Sequence, residues 1–199
     1  RLAREHGARL MVDDAHATGV LGKEGRGTAE HFGLEEEVDI VMGTCSKAMA
    51  SVGGFIASSH EVIHYVKHKA RPMIFSASLP PACVATIGAA LEVIEREPER
   101  RTQLWRNAQR VRDGLKEMGF DTGLSETPIV PVVLGDDLRA FRMGRALYEQ
   151  GIFANVSVSP AVPEGQALIR TSYMATHTDV HINRVLEAFR AVRRELGAI

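Results

Sequence analysis

The sequence predicts an α/β protein built in two parts. Short apolar runs alternate with segments in which apolar residues recur every three or four positions, which is the pattern of strands alternating with helices. Clusters of polar residues follow two of these runs directly, as they do where strands end at a ligand site. A charged segment around Pro98 then separates this region from a smaller α+β pattern.

The composition excludes several classes of protein. The 199 residues are 45% hydrophobic and 25% charged, which is typical of a globular protein. Because 24 basic and 25 acidic side chains leave a formal charge of −1, we expect neither nucleic acid nor an anionic membrane as a partner. Cys45 and Cys83 are the only cysteines, which fits a reducing cytoplasm. No histidine and cysteine spacing suits a metal, and no apolar run approaches the roughly 20 residues of a membrane span.

Glycine residues mark the predicted ends of the first helices and strands. Residues 1–6 resemble the last turns of a helix closed by Gly7, so we expect the chain to be the C-terminal part of a longer protein. Residues 8–12 predict a strand, and residues 28–32 a short helix. The glycines between them do not have the spacing of a phosphate-binding fingerprint.

The next elements are two strands and two helices. Residues 38–42 and 54–57 predict strands, and residues 61–69 have helical periodicity. We interpret the histidines of that helix as a solvated face rather than a metal site. Pro80 and Pro81 precede a further helical pattern that runs to about Arg96, since proline is favourable at a helix start.

The charged segment 95–101 marks the predicted joint between a first domain, 1–97, and a second domain, 98–199. The second domain is predicted to contain a helix at 104–118, a strand at 128–134, a helix at 140–148, and strands at 152–156 and 167–173. Asp179 is expected to cap a last helix that has one apolar face.

The candidate catalytic residues form two polar clusters, each at the end of a predicted strand. If their strands are neighbours, Asp13 and His16 lie at the same sheet edge as Thr44 and Lys47. We expect Lys47 to be shielded from water, so that it loses its proton readily and can act as a nucleophile. A lysine, a carboxylate, a hydroxyl and an imidazole together suit pyridoxal phosphate (PLP). The simpler alternatives are a helix cap for Asp13 and turn positions for Thr44 and Lys47.

Several motifs in the same order resemble those of the α-oxoamine synthases, a PLP-dependent family of aminotransferase-like fold. The motifs are VDDAH at 12–16, GTCSK at 43–47 with Gly53 and Gly54, RPMIFSAS at 71–78, SPAVP at 159–163, and LIRTS at 168–172 with ATHT at 175–178. The resemblance covers essentially the whole chain. It implies fold type I of the PLP-dependent transferases, with part of a large, mainly parallel-sheet domain followed by a small α+β domain.

The resemblance also implies roles for individual residues. Lys47 would hold the cofactor aldehyde covalently, Asp13 would pair with the ring nitrogen, and His16 would contact the ring oxygen. Arg170 would bind the substrate carboxylate, for which a planar guanidinium is suited. The simpler alternative for Arg170 is a charge on the surface of a strand. The remaining implied cofactor contacts are Asp14, Ala15 and Thr44, with Ser76 and Ala77 contributed across a dimer.

The implied activity is the condensation of an amino acid (serine, glycine or alanine) with an acyl-CoA, releasing CoA and carbon dioxide. The motifs most resemble the serine palmitoyltransferase branch, and the alternatives are the glycine C-acetyltransferase and 8-amino-7-oxononanoate synthase branches. An aminotransferase and a non-catalytic fragment are the alternatives of other classes. We expect a cytoplasmic homodimer, and we expect this chain alone to be inactive because the family's N-terminal half completes the site.

Overall fold

The structure is a computed structural model that describes residues 1–196. The chain divides into two compact units, Arg1–Pro98 and Glu99–Ile199, and each is described by itself. The assignment of these units to a large cofactor domain and a small domain stays a prediction. No helix within residues 1–196 is both long enough and apolar enough to cross a bilayer.

The first unit places a small sheet among helices. Its elements are α1 (Leu2–Glu5), β1 (Met11–Asp13), α2 (Thr28–Phe32), a 3₁₀ turn (Glu35–Glu37), β2 (Ile40–Thr44), β3 (Gly54–Ala57), α3 (His60–Lys69), α4 (Arg71–Ile74) and α5 (Pro81–Arg96). The helix predicted to follow Pro80 and Pro81 and to run to about Arg96 is α5, which already begins at Pro81. Gly7 has a φ of +59° directly after the first helix, which confirms its predicted place at the helix end.

The sheet of the first unit has the order β1-β2-β3. Strands β1 and β2 are parallel, with Asp13 opposite Met42, and β3 is antiparallel to β2, with Gly54 opposite Thr44. Parallel neighbours end at the same edge, so this register confirms that the two polar clusters share one edge of the sheet.

The first two predicted strands lie too early in the sequence. β1 begins at Met11 rather than at residue 8, because the Leu10 backbone N–H donates to the Asp39 carboxylate at 2.8 Å instead of to a strand. This N–H, and then Arg9, hold the pKa of Asp39 below its usual value. β2 extends to Thr44 because Gly43 and Thr44 pair with β3. Thr44 is therefore the last strand residue and not the first loop residue.

The second unit is an antiparallel sheet covered by long helices. Its elements are α6 (Glu99–Glu117), β4 (Ile129–Gly135), α7 (Asp137–Glu149), β5 (Asn155–Ser157), β6 (Ala167–Ser172) and α8 (Asp179–Leu196). The sheet order is β4-β6-β5. The strand predicted at 152–156 begins three residues later than expected, and Phe153 before it is 83% exposed.

The core of the second unit lies between its sheet and its helices. Burial alternates along β4 and β6, as expected of strands with one covered face. Fully buried side chains come from every layer, including Leu115 of α6, Val132 of β4, Met143 of α7, Ile169 of β6 and Phe189 of α8. This core fixes the position of the strand that carries Arg170.

The start of the last helix corrects the predicted cap. Asp179 is the first helical residue, and the preceding Thr178 is the capping residue: its hydroxyl accepts from the His181 backbone N–H at 3.5 Å. The Thr178 backbone N–H donates in turn to His181 Nδ1 at 3.2 Å, which is a capping box with histidine in the third position. Asp179 instead pairs with Arg110 at 2.7 Å and Arg106 at 3.4 Å.

Candidate functional site at the strand ends

Asp13 is the last residue of β1, and its carboxylate is exposed at the sheet edge. One oxygen, Oδ1, accepts a hydrogen bond from the Ala15 backbone N–H at 2.9 Å. The other oxygen has no hydrogen-bond partner within residues 1–196. This short-range bond orients the carboxylate and leaves one oxygen for a ligand, which is compatible with a cationic ring nitrogen.

Asp14 has a different environment from Asp13. Its side chain is 1% exposed, and Oδ2 accepts from the Thr28 backbone N–H at 3.0 Å. Its backbone N–H donates to the Met42 carbonyl at 2.7 Å and so continues the contact between the two strands. Gly27 lies against this carboxylate, since a Cβ there would be 2.1 Å from Oδ2. Asp14 therefore holds together the segment that carries Ala15 and the exposed His16.

The hydroxyl of Thr44 lies inside the turn that follows β2. Thr44 Oγ1 donates to the Gly53 carbonyl at 3.2 Å and lies 2.9 Å from the Ser46 hydroxyl oxygen. It also accepts from the Ser46 backbone N–H at 3.3 Å. These contacts tie the beginning of the turn to its end, so that Lys47 lies on a closed loop. To bind a phosphate oxygen, the Thr44 hydroxyl would donate to it in place of Gly53.

The expectation that Lys47 is shielded from water is wrong for this chain, since its side chain is exposed. The reason is the geometry of the turn: Cys45 and Met49 point inward and are 3% and 4% exposed, so the residues between them point outward. Among residues 1–196 the side-chain amine of Lys47 has no hydrogen-bond or ion-pair partner, while its backbone carbonyl accepts from the Ala50 N–H at 3.0 Å. Its amine is therefore accessible to a ligand.

The two strand-end segments touch each other. A Cβ on Gly19 would be 2.7 Å from the Ala48 Cβ and 3.2 Å from Ile94 Cδ1, so a side chain at position 19 would not fit. The loop that bears Lys47 thus packs against the segment that follows His16, on top of helix α5. The structure brings Asp13, Thr44 and Lys47 to one edge of the sheet by strand order and loop packing together.

Ser76 and Ala77 lie in an exposed stretch between α4 and α5. Leu79, two residues after Ala77, packs against the turn that carries Lys47, because a Cβ on Gly53 would be 2.7 Å from Leu79 Cδ2. The exposure of Ser76 and Ala77 is compatible with the implied contact to a partner subunit. That contact stays a prediction.

Arg170 belongs to the second unit and lies half-buried on β6, opposite Pro131 of β4 and Asn155 of β5. Its neighbours Ile169 and Thr171 are buried on the helix-covered face, so Arg170 lies on the other face of the sheet. It borders a cavity of about 410 Å³ within the same unit. An arginine beside a cavity is suited to a carboxylate or phosphate.

Two residues that support these segments were missed in the sequence. Glu30 accepts from the Glu24 and Arg26 backbone N–H groups, both at 2.8 Å, and so folds the glycine-rich segment after His16. Asn107 of α6 is 1% exposed and donates to the Met174 and His177 carbonyls at 3.0 and 2.8 Å. Asn107 could have been found, because it lies on the apolar face of its helix.

The candidate site residues carry amine, carboxylate, hydroxyl, imidazole and guanidinium groups. Within residues 1–196 no group of three or more histidine, cysteine, aspartate or glutamate side chains is placed to hold a metal ion. The strand-end groups instead fit PLP, because the donor set matches its aldehyde, ring nitrogen, ring oxygen and phosphate.

Comparison with known proteins agrees with this chemistry. The family model described as aminotransferase class I and II matches residues 1–189. A serine palmitoyltransferase of Bacteriovorax stolpii is 46% identical over 194 residues, which are 98% of this chain and 46% of that protein. An 8-amino-7-oxononanoate synthase of Symbiobacterium thermophilum is 46% identical over 198 residues, covering 100% of this chain and 50% of that protein.

A solved structure confirms the predicted fold. The serine palmitoyltransferase of S. paucimobilis, determined with a bound PLP–myriocin aldimine, superimposes with a TM-score of 0.94 at 42% identity. The match covers 100% of this chain and 50% of that one. The chain thus spans about half the length of the relatives that it matches.

Proposed function

The chain belongs to the aminotransferase class I and II family, and on that premise we propose that it carries the cofactor lysine of a PLP-dependent acyltransferase. The reaction would join an amino acid to an acyl-CoA with release of CoA and carbon dioxide. The observation that supports this most directly is the shared sheet edge, where Lys47 lies on a loop beside the end of β1 and Asp13.

Each strand-end residue has a defined part in this proposal. Lys47 would hold the cofactor aldehyde covalently, and its amine would carry a proton to and from the substrate. The free Asp13 oxygen keeps a proton on the ring nitrogen, and His16 hydrogen-bonds the ring oxygen. The Thr44 hydroxyl donates to the phosphate. When bound, PLP supplies an electron sink for the carbon from which the proton is removed.

Recognition of the substrates is assigned to other segments. Arg170 binds the carboxylate of the amino acid, and Ser76 with the Ala77 backbone binds the phosphate of a partner subunit's cofactor in a homodimer. Asp14 and Ala15 contribute through the segment that they fold around His16. We propose a cytoplasmic enzyme in which residues 1–97 belong to the large domain and 98–199 form the small domain.

The branch we propose is that of serine palmitoyltransferase, because the segments at 71–79 and 172–178 resemble it most. The second candidate is 8-amino-7-oxononanoate synthase, since a relative of that name is equally identical. Ala161 stands where some oxononanoate synthases have threonine, which favours the first branch. Measuring CoA release by the full-length protein with serine, glycine and alanine, against short and long acyl-CoAs, separates them. A half-reaction with a keto acid and no acyl-CoA would instead indicate an aminotransferase.

The experiment that tests the cofactor lysine is reductive trapping. Full-length protein incubated with PLP and borohydride should carry the cofactor on Lys47, as located by peptide mass mapping. Lys47→Ala should abolish this label. Lys69→Ala is the matched control, because Lys69 is also an exposed lysine of the first unit. The Lys69→Ala protein should be labelled at Lys47 as the wild type is. Retention of the label in Lys47→Ala protein would refute the assignment.

A further inference from the structure

The cavity beside Arg170, here called the α8 pocket, has features that the proposed reaction does not use. It has a volume of about 410 Å³ and lies entirely in the second unit, between the loop at 151–154, the ends of β5 and β6, and the first turns of α8. Its ionisable lining groups include Arg170, His177, His181 and Arg184. No aspartate or glutamate is among its described lining residues.

Both histidines present a hydrogen-bond donor to their surroundings. His177 Nδ1 accepts from the Met174 backbone N–H at 3.3 Å, and His181 Nδ1 accepts from the Thr178 backbone N–H at 3.2 Å. A neutral imidazole that accepts at Nδ1 carries its hydrogen at Nε2. The ring nitrogens that remain for a ligand are therefore donors, so this pair suits an anion and not a metal ion.

The basic groups of the α8 pocket are held in place by the fold. The Arg184 guanidinium packs on the backbone at Gly151, where a Cβ would be 3.0 Å from Nη2. Asn107 fixes the turn that bears His177 through its bonds to the Met174 and His177 carbonyls. The nearby Asp179 carboxylate is directed to Arg110 at 2.7 Å and does not line the pocket.

One side of the pocket is apolar. Ile152 and Phe153 come from the loop before β5, and Ile182 and Val185 from α8. A pocket with an apolar wall and a few convergent donors is suited to an amphipathic ligand. The charges select an anion, and the apolar wall selects a hydrocarbon stem.

We propose that the α8 pocket binds a small aliphatic carboxylate, with the carboxylate on His181 and Arg184 and the stem against Ile152 and Val185. This subsite borders Arg170 but does not require it, so it is additional to the amino-acid site of the proposed function. A short-chain organic acid would then occupy the second unit whether or not the cofactor is present.

The test is titration of cofactor-free full-length protein with butyrate, followed by calorimetry and by NMR of histidine labelled with ¹³C at Cε1. Butyrate should bind and shift the His177 and His181 signals, while butyramide, which has no charge, should do neither. Arg184→Gln should weaken butyrate binding by about tenfold or more, the loss of one charge-assisted hydrogen bond. Arg190→Gln is the matched control, since Arg190 is an exposed arginine of α8 outside the pocket.

A second variant tests the histidine without disturbing the helix. His181→Glu keeps a side chain that can reach back to the Thr178 N–H, as glutamate does in capping boxes, and replaces the imidazole donor with a group that only accepts hydrogen bonds. It should also weaken butyrate binding by about tenfold or more. Equal binding of butyrate by wild type, Arg184→Gln and His181→Glu would overturn the proposal, and so would equal binding of butyramide.

The outcome is separable from that of the proposed function. Lys47→Ala should bind butyrate as the wild type does, because Lys47 does not line the pocket. L-Serine serves as the second ligand: if serine shifts the His177 signal and butyrate does not, the pocket is only the edge of the amino-acid site, and the proposal fails. The trapping experiment on Lys47 can succeed or fail independently of either result.

Discussion

The two units bury their apolar side chains to very different degrees. In the second unit α6, α7 and α8 all contribute residues to one continuous core. In the first unit α5 is apolar in composition and yet has no buried residue, and Phe75 is 79% exposed. The candidate cofactor residues lie in the unit with the smaller core. A substitution that removes an apolar side chain should therefore cost much more stability in the second unit than in the first.

The largest effect is expected from the core of the second unit. Phe189 is fully buried and meets Phe120 edge-on, with ring centroids 5.7 Å apart. Phe189→Ala should lower the free energy of unfolding by about 3–5 kcal/mol, since it removes the largest fully buried side chain of the core and leaves a cavity. Urea unfolding followed by the fluorescence of Trp105, the single tryptophan, reports on this unit through α6.

Phe75→Ala is the matched variant in the first unit. Because Phe75 is exposed, its removal should change the free energy of unfolding by less than about 0.5 kcal/mol. A cost equal to that of Phe189→Ala would show that Phe75 is buried in the functional protein. The comparison between the units would then hold only for the isolated chain.

One place in the first unit is as tightly packed as a core, and it should give the next largest effect. Gly27 has a φ of +107° and lies against the buried Asp14 carboxylate, whereas Gly33 has a φ of +64° and open space beside it. Gly33→Ala should cost about 1 kcal/mol for the left-handed backbone, and Gly27→Ala about 2–3 kcal/mol because the carboxylate must also move.

Calorimetric unfolding of the full-length protein measures both glycine variants, and the difference between them isolates the contact with Asp14. Equal losses would mean that this carboxylate moves aside at no cost. In that case Asp14 would not hold the segment around His16, and the first unit would have no rigid centre near the candidate site.

The shared sheet edge could be predicted from the sequence, because apolar runs ending in polar residues are a local signal. The exposure of Lys47 could not be predicted. It depends on Cys45 and Met49 turning inward, and no periodicity describes a turn. The choice between Thr178 and Asp179 as helix cap was also beyond the sequence, since both residue types cap helices well. The capping residue is identified by the reciprocal bond that the Thr178 N–H donates to His181 Nδ1.

The hydrogen bonds that hold the segments of the candidate site in place were harder to predict than the positions of those segments. Asn107 and Glu30 hold backbone groups that are between 4 and 70 residues away in sequence. Bonds of this kind depend on how the elements pack, and a single sequence does not show packing. The chemical groups of the candidate site were therefore predictable, whereas the hydrogen bonds that position its segments were not.

The smallest expected effect is a pH dependence of stability, which we expect in the second unit. Burial, and then the charge of His181, lower the pKa of His177 from its ordinary value near 6.5. The folded state therefore disfavours protonated His177, and the unfolded state binds more protons below that pH. The second unit should lose stability as the pH falls below about 6.5 and keep it above, as followed by Trp105 fluorescence during urea unfolding at several pH values. His177→Asn, whose amide oxygen can still accept from the Met174 N–H, should flatten this dependence. An unchanged pH dependence in that variant would show that a group other than His177 titrates, and that His177 does not cause the loss of stability at low pH.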